Sequence, residues 1–415
     1  MIPARNRIRS EREEGYRRHI CIVTETYPPE VNGVARTLAH LVNGLRQQGH
    51  DVSLVRPRQD VDSVNPSYDS MVTLVSGLPL LGYKPLRVGL PAGDIIRRRW
   101  TQRRPDVVYV ATEGPLGWSA VRAARRLGIP VFSGFHTNFH SYLKHYHVGA
   151  LRFLILRYLR RFHDRTIGTL VASVDLRDRV RAIGLKNVNI LGRGVDSQLF
   201  NPQRRSSALR RTWRASNNDL VALYVGRVAA EKNLGLAVEA YRAMQRFDAS
   251  VKFVVVGDGP LRATLQRKHP DIIFCGVHTD EPLAKRYASA DIFLFPSETE
   301  TFGNVTLEAM ASGLVVVAYD YAAARMHIVD GHTGMLVPYG DSQSFVEATV
   351  KLTRERQSLI PIRVRARAHA AAIDWQRVVE RFATLLTSPL EPRDAAGAEG
   401  DADALGRRRF ATELR

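Results

Sequence analysis

Residues 296–310 read Pro-Ser-Glu-Thr-Glu-Thr-Phe-Gly-Asn-Val-Thr-Leu-Glu-Ala-Met, and two of the carboxylates, Glu300 and Glu308, are separated by seven residues. The segment follows an apolar run at 292–295 that reads as a strand, and a helix should open near Gly303. Glu300 then lies in the loop before the helix, and Glu308 lies more than a turn inside it. At that spacing the two acids do not share one small site. They bracket a ligand that lies across the helix start, where the N–H groups of Phe302, Gly303 and Asn304 point at an anion. Carboxylates that accept from vicinal hydroxyls hold a sugar or a ribose. The plainer alternative is helix-terminus charge stabilisation for Glu300 and a solvated face for Glu308. Glu298 competes for the first role, and the spacing to Glu308 favours Glu300.

Upstream, a strand ends in Gly226, Arg227 follows at once, and Lys232 lies near the start of the next helix. Two cations at a strand-to-helix turn suit a diphosphate and would stabilise charge growing on a leaving one, a contact worth ~3–4 kcal/mol in a transition state. Two ordinary surface cations are the competing reading. Gly33 opens a helix over about 34–48, after the turn that begins at Glu25, and offers a second place for backbone to approach an anion. The turn Val256-Gly-Asp-Gly-Pro, with Gly257, resembles a nucleotide cradle but also makes a plain tight turn. His136 follows an apolar run at 131–134, at the end of a strand.

What must position these groups is a set of short apolar runs, each followed by a Gly-containing turn and a helical pattern. They fall at 19–24, 52–56, 107–110, 131–134 and 188–191, then at 221–225, 251–256, 272–274, 292–295 and 315–318. Most are continuous rather than alternating, as in strands of parallel sheets covered on both faces. A chain of 415 residues is long for one core. The expectation is two doubly wound α/β domains, 19–195 and 196–373, meeting at Gly192-Arg-Gly-Val-Asp196. A closing helix is expected at 375–386, within a segment 374–388, between a basic N-terminal tail (1–18) and a disordered tail (389–415) that ends in Arg407–Arg409.

The formal net charge is +19, with 45% hydrophobic and 24% charged residues. Such a surplus suits anionic partners such as nucleic acid, an acidic membrane or phosphorylated substrates. No run is long enough to span a membrane and the N-terminus has no apolar signal core, so a cytoplasmic protein is expected. The two cysteines, Cys21 and Cys275, sit in apolar stretches and read as buried free thiols.

The Glu-x7-Glu pattern after Phe-Pro-Ser, with Arg227 and Lys232 upstream, resembles the large family of retaining GT-B glycosyltransferases of the family 4 type. The likeness covers about 19–388. Glu25-Thr-Tyr-Pro-Pro, Asn32-Gly-Val, Phe135-His-Thr-Asn-Phe139 and Gly192-Arg-Gly-Val-Asp196 look most like the bacterial branch of mannosyltransferases and glycosyl- or sulfoquinovosyl-diacylglycerol synthases. The resemblance implies a GT-B fold, two Rossmann-like domains facing a cleft, with the acceptor on the first and the donor nucleotide on the second. It implies that Gly33 contacts the donor phosphate, Arg227 and Lys232 hold the diphosphate, and Glu300 binds the transferred sugar with Gly303 and Asn304 nearby. Glu308 would bind the ribose and His136 would face the sugar. The base would lie near Phe274, Gly276 and Val277, close to Glu281. Gly226, Gly257 and Phe302 complete the donor set.

The same resemblance implies transfer with retention and no protein nucleophile, so that the protein's work is positioning and charge stabilisation. No cofactor is expected. No metal is expected either: the Asp-x-Asp pairs Asp60/Asp62 and Asp401/Asp403 lie in polar loop or tail sequence, and the histidines His136, His140, His145 and His147 have no Cys or acidic companion. Basic stretches at 84–104 and 144–165 suggest an anionic membrane surface as a further partner. In the second stretch Leu151, Leu154, Ile155, Tyr158, Leu159 and Phe162 form the expected core stripe, leaving Phe153 and Leu156 among Arg152, Arg157 and Arg160. The expected donor is GDP-mannose first and a UDP-sugar second, and the expected acceptor is a lipid or glycan. The rivals are a nucleic-acid-binding protein, disfavoured because aromatics do not interleave with the basic runs, a sugar-nucleotide epimerase and a phosphorylase.

Overall fold

The computed structural model describes residues 17–388, apart from 31, 61, 63–69, 81–82 and 137–148. The segments 1–16 and 389–415, with Asp401 and Asp403, and the histidines His140, His145 and His147 lie outside the described residues.

The first half builds β1 (His19–Val23), β2 (Asp51–Pro57), β3 (Val72–Val75), β4 (Gly77–Leu80), β5 (Tyr83–Gly89), β6 (Val107–Val110), β7 (Val131–Phe135), β8 (Thr169–Val171) and β9 (Val188–Ile190). Seven of these form one sheet in the order β3-β2-β1-β6-β7-β8-β9, with every pairing parallel. β4 and β5 form a separate antiparallel pair. Side chains of a strand alternate between faces, so a continuous apolar run needs cover on both. β1 shows this: Ile20 and Ile22 enter the core under the helix Gly33–Gln47, whereas Cys21 and Val23 enter the core on the other face, with Trp100 and Leu116.

The second half builds β10 (Val221–Val225), β11 (Lys252–Val256), β12 (Ile273–Gly276), β13 (Ile292–Phe295), β14 (Val315–Tyr319) and β15 (Met335–Val337). Their order is β12-β11-β10-β13-β14-β15, again parallel throughout. In both sheets the chain winds outward from a central strand and then returns to its other side. The reversals fall between β1 and β6 and between β10 and β13, the places where open α/β sheets bind ligands.

The final helix, Trp375–Thr387, follows the second sheet but packs on the first. Val379, Phe382 and Leu386 share a core with Leu38, Leu41 and Leu45, and the Phe382 ring lies 4.9 Å from that of Tyr109. The chain thus crosses between the sheets twice, and the crossings touch: Val195 N donates to Ile373 O at 3.0 Å. A Cβ on Gly194 would sit 2.6 Å from the backbone nitrogen of Trp375, so only glycine admits this approach.

Two expectations need correction. In the helix Gly149–His163, Leu154 and Tyr158 are exposed (59% and 42%) beside Phe153 (62%), whereas Leu156 packs on the core. The apolar stripe is rotated because Ile155, Leu156 and Leu159 pack with Val171 of β8 and Val188 of the edge strand β9, while Phe162 enters the core that holds Trp100 and Leu116. Cys21 is buried, but Cys275 is only half-buried, because β12 is an edge strand.

Candidate active site

The two switch points face each other across a cavity of about 610 Å³. Thr26, Asn32, Gly33, Val34, His136 and Arg193 line it from one side; Gly226, Arg227, Lys232, Glu300, Phe302, Gly303 and Asn304 are among the residues lining it from the other. On the second-domain wall, β10 ends at Val225 and delivers Gly226 and Arg227. A short 3₁₀ turn, Ala230–Lys232, then brings Lys232 inward ahead of the helix Leu234–Phe247. β13 ends at Phe295 and delivers the acid loop. Gly303 sits at φ +94° as the cap of the helix Asn304–Ala311, a left-handed conformation that favours glycine.

Glu300 and Lys232 face each other directly. Lys232 Nζ donates to Glu300 Oε1 at 2.5 Å and to the Thr299 carbonyl at 2.9 Å, while Ser297 Oγ donates to the same carboxylate oxygen at 2.8 Å. The acid and the cation neutralise each other here, so an incoming ligand must share or exchange these bonds. Arg227 is more open: its side chain is 62% exposed and pairs with Glu231 at 3.1 Å. Glu298 is set apart from the cavity and accepts from Asn233 Nδ2 at 3.4 Å.

The acid loop is braced from behind. Tyr321 Oη donates to the Glu300 carbonyl at 2.7 Å, and Tyr339 Oη to the Glu298 carbonyl at 2.8 Å. The first domain reaches this brace through the helix Val174–Ala182. Arg179 lies 5.0 Å over the Tyr321 ring, and Asp175 accepts from Ala322 N at 2.9 Å and pairs with Arg325.

On the first-domain wall, Asn32 caps the helix Gly33–Gln47 by accepting from Ala35 N, which leaves Gly33 at the helix mouth. His136 is buried, and both ring nitrogens are engaged. Nδ1 is 3.0 Å from Arg193 Nη2 and Nε2 is 2.8 Å from Tyr109 Oη. Burial, reinforced by the Arg193 and His163 charges, holds its pKa well below the usual imidazole range.

Four of the expected donor-site residues do not line this cavity. Gly257 and Gly276 meet each other at the ends of β11 and β12, where Gly257 N donates to Gly276 O at 2.8 Å. A Cβ on Gly257 would lie 1.9 Å from the Gly226 carbonyl, which ties this turn to the end of β10. Val277 is 64% exposed. Glu308 sits in the second turn of its helix, accepts from Tyr287 Oη at 3.0 Å, and is pushed up by burial against the opposing effects of Tyr287 and Arg36. Glu281 pairs with Arg204 at 3.1 Å.

Two family descriptions match the halves separately: Glycosyltransferase Family 4 over residues 31–199, and Glycosyl transferases group 1 over 219–355. A GDP-mannose-dependent alpha-mannosyltransferase of Mycobacterium tuberculosis is 33% identical over 353 residues, covering 81% of this chain and 89% of that protein. The chain belongs to glycosyltransferase family 4. A further relative of this glycosyltransferase is an alpha-monoglucosyldiacylglycerol synthase of Streptococcus pneumoniae, 29% identical over 78% of this chain and 75% of that one. The fold matches the Anabaena protein HepE in complex with UDP, with a TM-score of 0.71 at 18% identity, covering 89% of this chain and all of that one.

Besides neutral lining residues such as Thr26, Asn32 and Val34, one charged residue of the glycosyltransferase cavity, Arg193, is absent from the sequence-derived site. Its only signal is an arginine between two glycines at a domain seam, which reads as a charged connector until the fold turns it inward. Among the described residues no group of three or more His, Cys, Asp or Glu side chains is arranged to hold a metal. Asp62 is instead held by Arg56 at 2.7 Å. No described helix is long and apolar enough to cross a membrane.

Proposed function

We propose that the enzyme moves a hexose with retention from a nucleotide-diphosphate donor, GDP-mannose by first choice, to a lipid or lipid-linked acceptor. The observation that carries this reading is the convergence of Arg227, Lys232, Glu300, His136 and Gly33 on one cavity between two sheet switch points. In this reading the domain spanning 19–195 receives the acceptor, that spanning 196–373 holds the donor, and the segment 374–388 closes the fold.

Arg227 and Lys232 take the diphosphate, with Gly33, Gly226 and the N–H groups of Phe302, Gly303 and Asn304 completing an anion cradle. Glu300, released from Lys232, accepts from hydroxyls of the transferred sugar. Glu308 takes the ribose, with Gly257, Gly276 and Val277 toward the base. As the bond from sugar to diphosphate breaks, the acceptor oxygen bonds the same carbon on the same face, and the acceptor proton passes to the leaving phosphate oxygen. The protein's share is positioning and stabilisation of the leaving charge.

The acceptor assignment draws on the diacylglycerol relative and on the surface of the helix Gly149–His163, where Phe153, Leu154 and Tyr158 stand exposed beside Arg157 and Arg161. Exposed apolar side chains among arginines suit an anionic membrane, which would make this a peripheral enzyme on the inner face of the cell membrane. A UDP-sugar-dependent diacylglycerol glycosyltransferase is the second reading, favoured by the UDP held by the structural neighbour.

Thermal unfolding with GDP against UDP separates the two donors. The correct nucleotide at 100 times its Kd adds about 2.7 kcal/mol to stability. Stabilisation by UDP alone would replace mannose as first choice, and stabilisation by neither would remove the donor reading. Flotation with anionic vesicles at low salt tests the membrane surface, and protein left unbound would end that part.

A further inference from the structure

Arg193 is 5% exposed, lines the cavity and has no carboxylate partner among the described residues. A buried charge without a counterion is expensive, and such a group commonly has work to do. Its Nη1 approaches only the Leu191 and Gly192 carbonyls, at 3.3 and 3.4 Å, so its short contact is Nη2 to His136 Nδ1 at 3.0 Å.

This contact fixes a chemical state. A guanidinium has no acceptor, so Nδ1 must present its lone pair. The single ring proton of neutral His136 is then on Nε2, donated to Tyr109 Oη at 2.8 Å. An imidazolium would carry a proton on both nitrogens and set an N–H against Arg193. We propose that Arg193 is a positioning residue that holds His136 as the neutral Nε2–H tautomer, with its ring plane fixed beside the donor cavity. This inference rests on the placing of His136 in the active site.

The charged and titratable groups around the ring are Arg193 from the connector, Tyr109 from β6 and His163 from the helix Gly149–His163, with Glu113 beyond them, 3.5 Å from His163 Nε2. Arg193 itself stays cationic at neutral pH although burial brings it down to about 10. Nothing among these groups supplies a negative charge directly to His136, so the fixed cation excludes the protonated ring. Held this way, His136 turns its backbone and ring edge to the sugar as a rigid, uncharged surface that does not take the acceptor proton.

The test is ¹⁵N NMR of histidine-labelled full-length enzyme, with His136 assigned by His136→Gln. In the wild type His136 should show one neutral Nε2–H tautomer from pH 5.5 to 8. In Arg193→Met it should become a mixture of tautomers or titrate inside that range, and Arg193→Lys, which can only donate, should restore the single form. Tyr109→Phe removes the acceptor of Nε2–H but leaves Arg193, so the tautomer should persist; this variant keeps the test open if Arg193→Met does not fold. A wild-type spectrum in Arg193→Met, or a switch to Nδ1–H in Tyr109→Phe, overturns the proposal. With GDP-mannose and diacylglycerol vesicles, kcat of Arg193→Met should fall on the order of 10²-fold through lost alignment and gain a new acid limb. His136→Ala with full activity would instead remove His136 from the site and leave the tautomer result standing.

Discussion

On the second-domain wall of the cleft every charge has a partner. Lys232 and Glu300 meet at 2.5 Å, and Arg227 leans on Glu231 at 3.1 Å. On the first-domain wall Arg193 is buried with no acid and grips a neutral imidazole. Glu25, at the end of β1 beside that wall's Thr26 but not itself lining the cavity, is likewise buried with one carboxylate oxygen unpartnered among the described residues. The exposed Arg227–Glu231 pair can exchange partners at little cost, because water compensates what is broken, and Lys232 and Glu300, though mostly covered, open onto the cavity, where a ligand can take over their bonds. The buried groups cannot, because a polar group that loses its partner inside the fold forfeits the full desolvation cost. One wall is therefore suited to exchanging partners with an incoming ligand, and the other to keeping a fixed shape.

The comparison can be broken most sharply at Lys232. Lys232→Ala should lower turnover about 10²–10³-fold, or about 3–4 kcal/mol in the transition state, with an unchanged circular dichroism spectrum. Near-normal turnover would show that the paired wall does not hold the leaving group. The buried groups of the first domain are tested through pH. Burial pushes Glu25 up to about 7, with the Leu116 N–H opposing and Glu113 adding to the rise. A carboxyl raised by folding stabilises the fold below about 4.5, and that contribution is lost as pH rises through 7. Glu25→Gln should therefore gain stability relative to wild type between pH 5 and pH 8, by up to about 3 kcal/mol in urea melts. An unchanged difference between the two pH values would refute it.

A smaller effect is expected at the brace. Tyr321→Phe removes one hydrogen bond to the Glu300 carbonyl, worth about 1 kcal/mol, so kcat should fall roughly fivefold while nucleotide affinity is kept. A loss confined to nucleotide affinity would mean that the brace does not serve the sugar end. The smallest effect belongs to the exposed pair, since Glu231→Ala should shift unfolding free energy by no more than about 0.5 kcal/mol. A larger shift would mean that the two walls are less different than their exposure indicates.

Much of this arrangement was legible in the residues. Continuous apolar runs mark buried parallel strands, and β10 and β13 carry the groups that the spacing of Arg227, Lys232 and Glu300 had singled out. The short strands β3, β4, β8 and β15 escaped notice because they are three or four residues each, too few to show a period, and β5 because, though seven residues long, it reads Tyr-Lys-Pro-Leu-Arg-Val-Gly and has no continuous apolar run. Arg193 escaped for another reason. Its chemistry is set by a long-range approach to His136, 57 positions away, and nothing local in Gly-Arg-Gly announces it. The rotated stripe of the helix Gly149–His163 has the same origin, since the face that packs is chosen by neighbouring strands.

The two crossings, at Val195 and Ile373, lie side by side and are bonded to each other. A chain that passes back through its own doorway makes a double-stranded pivot rather than a tether. Arg193 stands two residues from that pivot, so turning one half against the other about it would carry the guanidinium only a short way. Any such turn must first part Asp175 from Ala322 and Arg325, whereas the imidazole and its guanidinium, both carried by the first half, keep their distance.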